Sequence, residues 1–283
     1  MSLDYKYINK INKAVPPPNN FLKRFRFLFR KKVLDYLSLI NMNNEKSFMR
    51  CLYCHYVFDD QIEDFEKLIF ELKNIGDFVN TDTCIDILNN KKIIDGKYFH
   101  LSFDDGFKNN FTNAIPVLVK YNVPAIFFIP TSLIGSSWDQ SKEFCLERTN
   151  YGDVIEFLKW SNILDIVSLG YEIGSHTSSH FRLSDIYTNK ERLLFEVEDS
   201  KLLIEKKLKI PCKYISWPFG LLSDIDKLSF EVIKQTGFEA CFGLFRGSIT
   251  PGKTNKYMIP RHHFEVEWPI EHIKYFLRGN MEK

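Results

Sequence analysis

Hydrophobic and polar positions alternate along this chain between two periods. Short apolar runs, which read as buried strands, recur at Phe48–Phe58, Lys97–Phe103, Val123–Pro130, Lys213–Trp217, Glu239–Gly243 and Tyr257–Ile259. Segments with helical spacing lie between them. Gln61–Ile75 puts Phe65, Leu68, Ile69 and Leu72 on one face and is closed by Gly76. Thr81–Asn90 follows as a short helix with Thr81 or Asp82 as the expected cap. Asn113–Tyr121, Asp153–Leu169, Ser184–Leu208, Phe230–Thr236 and Pro269–Leu277 supply the other helices. Thr131–Asn150 is polar and reads as an irregular rim loop carrying Trp138 and Asp139. Strand and helix in alternation predict a parallel α/β architecture.

Residues 1–45 stand apart as an N-terminal extension, ahead of one large domain at 46–283. Pro16-Pro17-Pro18 with Asn19-Asn20 reads as a stiff spacer. Phe21–Leu39 is then a basic amphipathic helix. Phe21, Leu22, Phe25, Leu28 and Phe29 fall on one side, and Lys23, Arg24, Arg26, Arg30, Lys31 and Lys32 fill much of the rest. Such a helix either packs on the domain with its basic face in water, or contacts a membrane surface through residues 21–33, or steers an anionic substrate.

The charge of +2 on 283 residues makes no case for nucleic-acid binding. The chain has no run of eighteen apolar residues, and Met1–Lys6 lacks the apolar core of a signal peptide. The expected location is therefore cytoplasmic, at the inner face of the membrane if the basic helix docks there. Six scattered cysteines read as free thiols, and the lone pair Cys51 and Cys54 lacks the further ligands a zinc knuckle needs. The glycine-rich signatures of nucleotide-binding sheets are absent.

Two stretches carry chemistry. His100-Leu101-Ser102-Phe103-Asp104-Asp105-Gly106 ends a strand in two acids and a turn. By itself this is a solvated Asp-Gly turn, or a pair in which one acid binds a metal and the other reaches a water beside it. Gly174-Ser175-His176-Thr177-Ser178-Ser179-His180 adds two imidazoles on poor helix formers, expected at a strand end running into a loop. Two histidines and a carboxylate form a mixed N/O set with positions left for water and substrate.

Phe103-Asp104-Asp105-Gly106 followed by His176-Thr177-Ser178-Ser179-His180 resembles the first two motifs of the polysaccharide deacetylase family, carbohydrate esterase family 4. Leu52-Tyr53-Cys54-His55-Tyr56-Val57, Pro124–Pro130 and Ser216-Trp217-Pro218-Phe219-Gly220 are similar to further family segments, so the resemblance runs from Phe48 to Gly279. It implies a distorted, incomplete (β/α)7-type barrel, with the motifs at the C-terminal ends of strands, where barrel active sites lie.

The resemblance also implies roles. Asp105, His176 and His180 become ligands of one divalent metal, with zinc favoured over cobalt, nickel or iron, and Asp104 the general base. Thr177 or Ser178 ties down the metal loop. The backbone N–H of Phe219, in the Trp217-Pro218-Phe219-Gly220 segment, is a candidate oxyanion donor, and Trp138, Trp217 and Phe219 are candidate sugar-stacking surfaces. Two departures from the family pattern stand out. Ser216 occupies the place of an arginine that orients the base, and the C-terminal motif is only approximated by Ile259-Pro260-Arg261-His262-His263-Phe264. Arg261 is then the candidate to hold Asp104, and His262 or His263, with His55 as a third candidate, to protonate the leaving amine. The implied activity is removal of N-acetyl groups from an amino sugar, a precursor of a bacterial surface polysaccharide. The alternatives are hydrolysis of another amide, such as a formamide or a cyclic ureide, and a non-catalytic sugar-binding protein.

Overall fold

The structure, a computed structural model, describes residues 7–16, 21–40 and 45–282. The segment Met1–Lys6 and all of the expected spacer after Pro16 lie outside the described residues. Eight strands form one parallel sheet: β1 Phe48–Cys54, β2 Asp77–Phe78, β3 Lys97–Phe103, β4 Ile126–Ile129, β5 Glu172–Ser175, β6 Tyr214–Ser216, β7 Ala240–Phe242 and β8 His262–His263. Seven of them run in the order β7-β6-β5-β4-β3-β1-β8, while β2 pairs with the early part of β3. The sheet curls into an incomplete barrel, because the chain just before β8 reaches the opposite edge. Ile259 bridges Phe242 of β7, and Leu52 of β1 pairs with His262.

Alternation along the strands sorts side chains into two layers. Met49 and Cys51 of β1 point into the barrel with Ile126, Phe128, Tyr214, Phe242 and Ile259. Phe48, Leu52 and Cys54 point outward onto Phe65, Leu68, Ile69 and Leu72 of the helix Ile62–Lys73, the face expected from spacing. A third cluster surrounds the mouth. Ile8 and Ala14 pack there with Tyr56, Phe107, Phe144 and Phe157, so residues 7–16 share the core of the domain they precede.

Several expected boundaries shift, each for a local reason. Asn80 caps the helix Thr81–Leu88 by accepting from the Thr83 N–H, and Thr81 instead turns inward, its hydroxyl lying between His100 and Glu172. The stretch expected as an irregular rim loop is largely helical, at Trp138–Lys142 and through the wide π-helical turn Glu143–Arg148. Residues 153–159 are extended rather than helical, because Phe157 pairs with Phe107 and Leu158 donates to the Gly106 carbonyl; the helix begins at Trp160. The long helix expected from Ser184 is broken before Asn189, which caps a new start at Lys190. The last strand is His262–His263 rather than Tyr257–Ile259, of which only Ile259 bridges.

The helix Phe21–Ile40 rests on Ile270–Leu277 through Leu34, Leu37 and Ser38, with Asp35 bonded to His272 at 2.6 Å. Leu22, Phe25, Phe29, Val33, Tyr36 and Ile40 are exposed. Their steps of three and four place them on one stripe, away from the domain.

Gly174 pairs with Phe128 across β4 and β5, and a methyl group on it would sit 2.5 Å from the Phe128 ring and 3.0 Å from the Tyr214 carbonyl oxygen. Gly174→Ala is expected to destabilise the protein by about 1–3 kcal/mol, as overpacked sites do. A urea midpoint equal to wild type would show that the sheet relaxes around the added carbon.

Candidate active site

The strand ends decide where the acids point. β3 stops at Phe103, the Asp104 N–H donates to the Cys54 carbonyl at 3.1 Å, and Asp105 takes a φ of +69°. A non-glycine residue in this region costs energy and persists only where its surroundings enforce it. Here the reversal lets two neighbouring carboxylates share one mouth: His176 Nε2 lies 3.5 Å from Asp105 Oδ1 and 4.0 Å from Asp104 Oδ2. Thr177, His180 and Phe219 also have positive φ, at +64°, +60° and +61°.

The segment after β5 is a loop, held from several sides. The Thr177 hydroxyl accepts from the His180 N–H at 3.2 Å, and the Ser132 N–H donates to the Ser178 carbonyl at 2.7 Å. The buried Glu196 carboxylate accepts the Ser179 N–H at 2.7 Å and the Ser179 hydroxyl. Arg148 donates to the carbonyls of Ser179 and His180. Asn110 donates to the His55 carbonyl at 2.9 Å. Asn110, Arg148 and Glu196 each sit on a π-helical turn, the widened helix geometry that often accompanies functional sites.

Asp105, His176 and His180 are all buried, and one ligand atom from each lies within 4.8 Å of the others. His180 Nε2 is 3.2 Å from Asp105 Oδ1. His176 Nδ1 donates to the Ser216 carbonyl at 2.8 Å, which aims Nε2 at the carboxylate. Asp105 Oδ1 has no hydrogen-bond partner, and Oδ2 accepts only a long bond from Tyr151 at 3.4 Å. Burial would raise the Asp105 carboxyl, but the two imidazoles packed against it, His180 foremost, outweigh burial and hold it well below the usual range. Burial pushes His180 down, towards the neutral ligating form, and the nearby Asp105 carboxylate does not reverse this. Two imidazole nitrogens and an orphaned carboxylate oxygen, converging in a dry pocket, fit a divalent metal ion.

Asp104 faces Arg261 instead. The guanidinium donates to Asp104 Oδ1 at 2.8 Å and Oδ2 at 2.7 Å, to Ser102 Oγ at 2.9 Å, to Ser216 Oγ at 2.6 Å and to the Gly243 carbonyl at 3.0 Å. All five of its N–H donors are used. Ser216, which stands where the resemblance leads one to expect an arginine, thus accepts from an arginine delivered by another part of the chain. Burial raises the Asp104 carboxyl, but Arg261 and His176 outweigh it and keep the group below its ordinary value.

The other expected residues divide. His262 is on the outward face of β8, with its Nε2 3.1 Å from Glu282 beside the buried Arg50, so it is directed away from the mouth. His263 is inward, stacked on Tyr53 at 4.9 Å and edge-on to His55 at 5.5 Å. His55, just past the end of β1, lies at this mouth beside Tyr53 and His263. Trp217 is fully buried against Phe230 and Phe245, with its indole N–H donating to the Leu221 carbonyl at 3.1 Å, so it packs the core and offers no face to a sugar. Pro218 and Gly220 are buried beside it, and a side chain at Gly220 would collide with Leu244. Phe219 is half-buried, its ring 5.1 Å from that of His180 and beneath the Arg182 guanidinium. Trp138 opens the helix Trp138–Lys142, with the Lys142 ammonium over its ring. Sequence reasoning missed Tyr151, Arg148, Phe144 and Glu196. Phe144 packs edge-on to His180 at 5.1 Å. None of the four belongs to a motif; Phe144, Arg148 and Glu196 reach the site from π-helical turns and Tyr151 from the segment that follows one.

A profile of the family described as polysaccharide deacetylase matches residues 91–241. The poly-beta-1,6-N-acetyl-D-glucosamine N-deacetylase of Staphylococcus aureus is 29% identical over 170 residues, which cover 57% of this chain and 52% of the relative. The enzyme of the same name from Staphylococcus epidermidis is 28% identical over the same share. The chain thus spans about half the length of the curated relatives it matches. Among solved structures, IcaB from Ammonifex degensii superposes with a TM-score of 0.69 at 20% identity, over 83% of this chain and 98% of that one. The Streptococcus pyogenes deacetylase PplD, in complex with acetate, superposes with a TM-score of 0.66 at 16% identity, over 84% and 100%. These likenesses establish a common fold.

Removing Arg261 leaves a buried carboxylate without its counter-charge. Arg261→Met is expected to lose about 3–5 kcal/mol of stability, the range for breaking a buried pair, and the double variant with Asp104→Asn to recover part of it. Equal denaturation midpoints for wild type and the single variant would contradict this account of the pair.

Proposed function

The chain belongs to the polysaccharide deacetylase family, and from that premise we propose that it hydrolyses the N-acetyl groups of an amino-sugar polymer or its precursor. The observation that carries the reading is the buried Asp105–His176–His180 trio beside an Asp104 locked by Arg261. The names of the curated relatives favour a β-1,6-linked N-acetylglucosamine polymer of a bacterial surface as substrate.

Asp105, His176 and His180 would hold a divalent ion, zinc being favoured by the N/O donor set, and when bound it would supply Lewis-acid polarisation of the amide carbonyl and lower the pKa of a water. Asp104 accepts the proton of the attacking water. Arg261 keeps this carboxylate ionised and fixes both of its oxygens. His55, just past the end of β1 at the mouth, gives a proton to the departing amine nitrogen, whereas His262 faces away. Phe219 and Tyr151 close the sides of the pocket and limit water around the reacting amide.

The test is acetate release by zinc- or cobalt-loaded protein from a panel of N-acetylated sugars, including β-1,6-linked N-acetylglucosamine oligomers, with a formamide and a cyclic ureide alongside. Asp104→Asn is expected to lower turnover about 10²–10⁴-fold with metal content unchanged, and His55→Ala to fall in the same range. No acetate from any sugar in the panel would overturn the reading and favour a non-catalytic sugar binder.

We further propose that the chain works against an anionic membrane surface. The exposed apolar stripe of Leu22, Phe25, Phe29, Val33, Tyr36 and Ile40 is flanked by Arg26, Arg30 and Lys32, the composition of a helix lying in a lipid interface. No described helix is long and apolar enough to cross a membrane. Co-sedimentation with vesicles containing phosphatidylglycerol is expected for wild type, weakened by salt and lost in the double variant Phe25→Asp, Phe29→Asp. Wild type that stays in the supernatant at low salt would refute the docking.

A further inference from the structure

Beside the pocket stands a second convergence of metal-binding side chains that the mechanism above uses only in part. Pairing of Tyr53 with His263 sets β8 next to β1 just before His55. Glu265 follows His263 by two residues, so the three side chains meet at one place on the mouth. One donor atom from each of His55, His263 and Glu265 lies within 4.8 Å of the others. This repeats the chemistry of the Asp105–His176–His180 trio: two imidazoles and one carboxylate. Burial differs, since all three residues of the second set are half-buried where those of the first are buried.

The contacts inside this cluster leave donor capacity unused. His263 Nε2 lies 2.7 Å from Glu265 Oε1, yet this nitrogen has no aligned hydrogen bond, and Glu265 Oε2 is also buried without one. Glu267 adds a further carboxylate close enough to interact with Glu265. Among the described residues no ion pair gives Glu265 a lysine or arginine partner, and its carboxylate faces the His263 imidazole. Negative charge, two imidazoles and an access path from the mouth are the conditions under which a borderline-soft divalent cation binds.

We propose that His55, His263 and Glu265 form a second, weaker divalent-cation site, of the zinc or copper class, whose occupation shuts the enzyme down. The inhibitory half rests on the deacetylase reading: a cation on the His55 lone pair prevents that imidazole from carrying the proton the leaving amine needs. Activity then rises as the buried trio fills and falls as the mouth fills. The weaker affinity follows from the partial exposure of the three residues, which leaves water to compete for the ion more than at the buried trio.

The test is zinc titration of the full chain by equilibrium dialysis, with a parallel activity curve. Wild type is expected to bind about two equivalents, one much weaker than the other. Glu265→Gln and His263→Asn should each keep the tight equivalent, which also reports that they are folded, and lose the weak one. Asp105→Ala should keep the weak one alone. Wild type that saturates at one equivalent, or a weak equivalent that survives in Glu265→Gln and His263→Asn, overturns the site. Dialysis does not depend on turnover, so failure of the deacetylase reading leaves this arm decisive. In the activity arm, loss at high zinc in wild type but not in Glu265→Gln supports the inhibitory role. A second equivalent that binds without slowing turnover overturns that role.

Discussion

The buried pair of Arg261 and Asp104 is the interaction on which the rest of the centre depends. Both side chains are fully removed from solvent, and neither would be tolerated there alone. The guanidinium is satisfied by β3 and the Asp104 that follows it, by β6 and by the carbonyl after β7. Those partners come from both sides of the barrel gap. Arg261 stands between Ile259, which bridges β7, and His262, which pairs with β1. Closure of the barrel and charge balance of the base are therefore one event: the residue that spans the gap is also the counter-ion.

Around that pair, precision comes from backbone held in uncommon conformations. Asp105, Thr177, His180 and Phe219 all have positive φ. Such residues relax unless something opposes it. The opposition comes from Ser132 and Arg148 on the carbonyls of the histidine loop, and from Glu196 on its N–H. Asn110, Arg148 and Glu196 all project from π-helical turns. The extra residue in such a turn lets a side chain reach sideways to a neighbouring loop while the helix continues. Rigidity at the metal trio is thus built by helices outside the sheet.

Much of the fold was legible because its signals are local. The span Lys97–Phe103 is an apolar run that could only be a strand, and Phe65, Leu68, Ile69 and Leu72 declare their face by spacing. The trio and the Asp104–Arg261 pair followed from residue types at strand ends and from a family resemblance. What stayed hidden depends on partners distant in sequence. Residues 153–159 carry a helical pattern but pair with Phe107, so tertiary contact overrides the local preference. Trp217 reads as a sugar platform by type, and only three-dimensional packing shows it inside the core. His262 and His263 are adjacent in sequence, and the pairing with β1 alone decides which faces the mouth. Tyr151 and Glu196 carry no sequence signal, since their roles exist only once loops are brought together.

The route by which the arginine arrives has a consequence for the timing of assembly. Asp104 and Arg261 are separated by 157 positions, with most of the sheet laid down between them. Contacts of such long range are among the slowest to form, because a large loop must close before they give anything back. A partly assembled chain therefore carries its acidic and imidazole ligands in place while the carboxylate beside them lacks its partner. The proposed chemistry would be withheld until the final turn of the barrel docks. The same segment is a natural point of failure: opening it locally would silence the site while most of the sheet stayed folded.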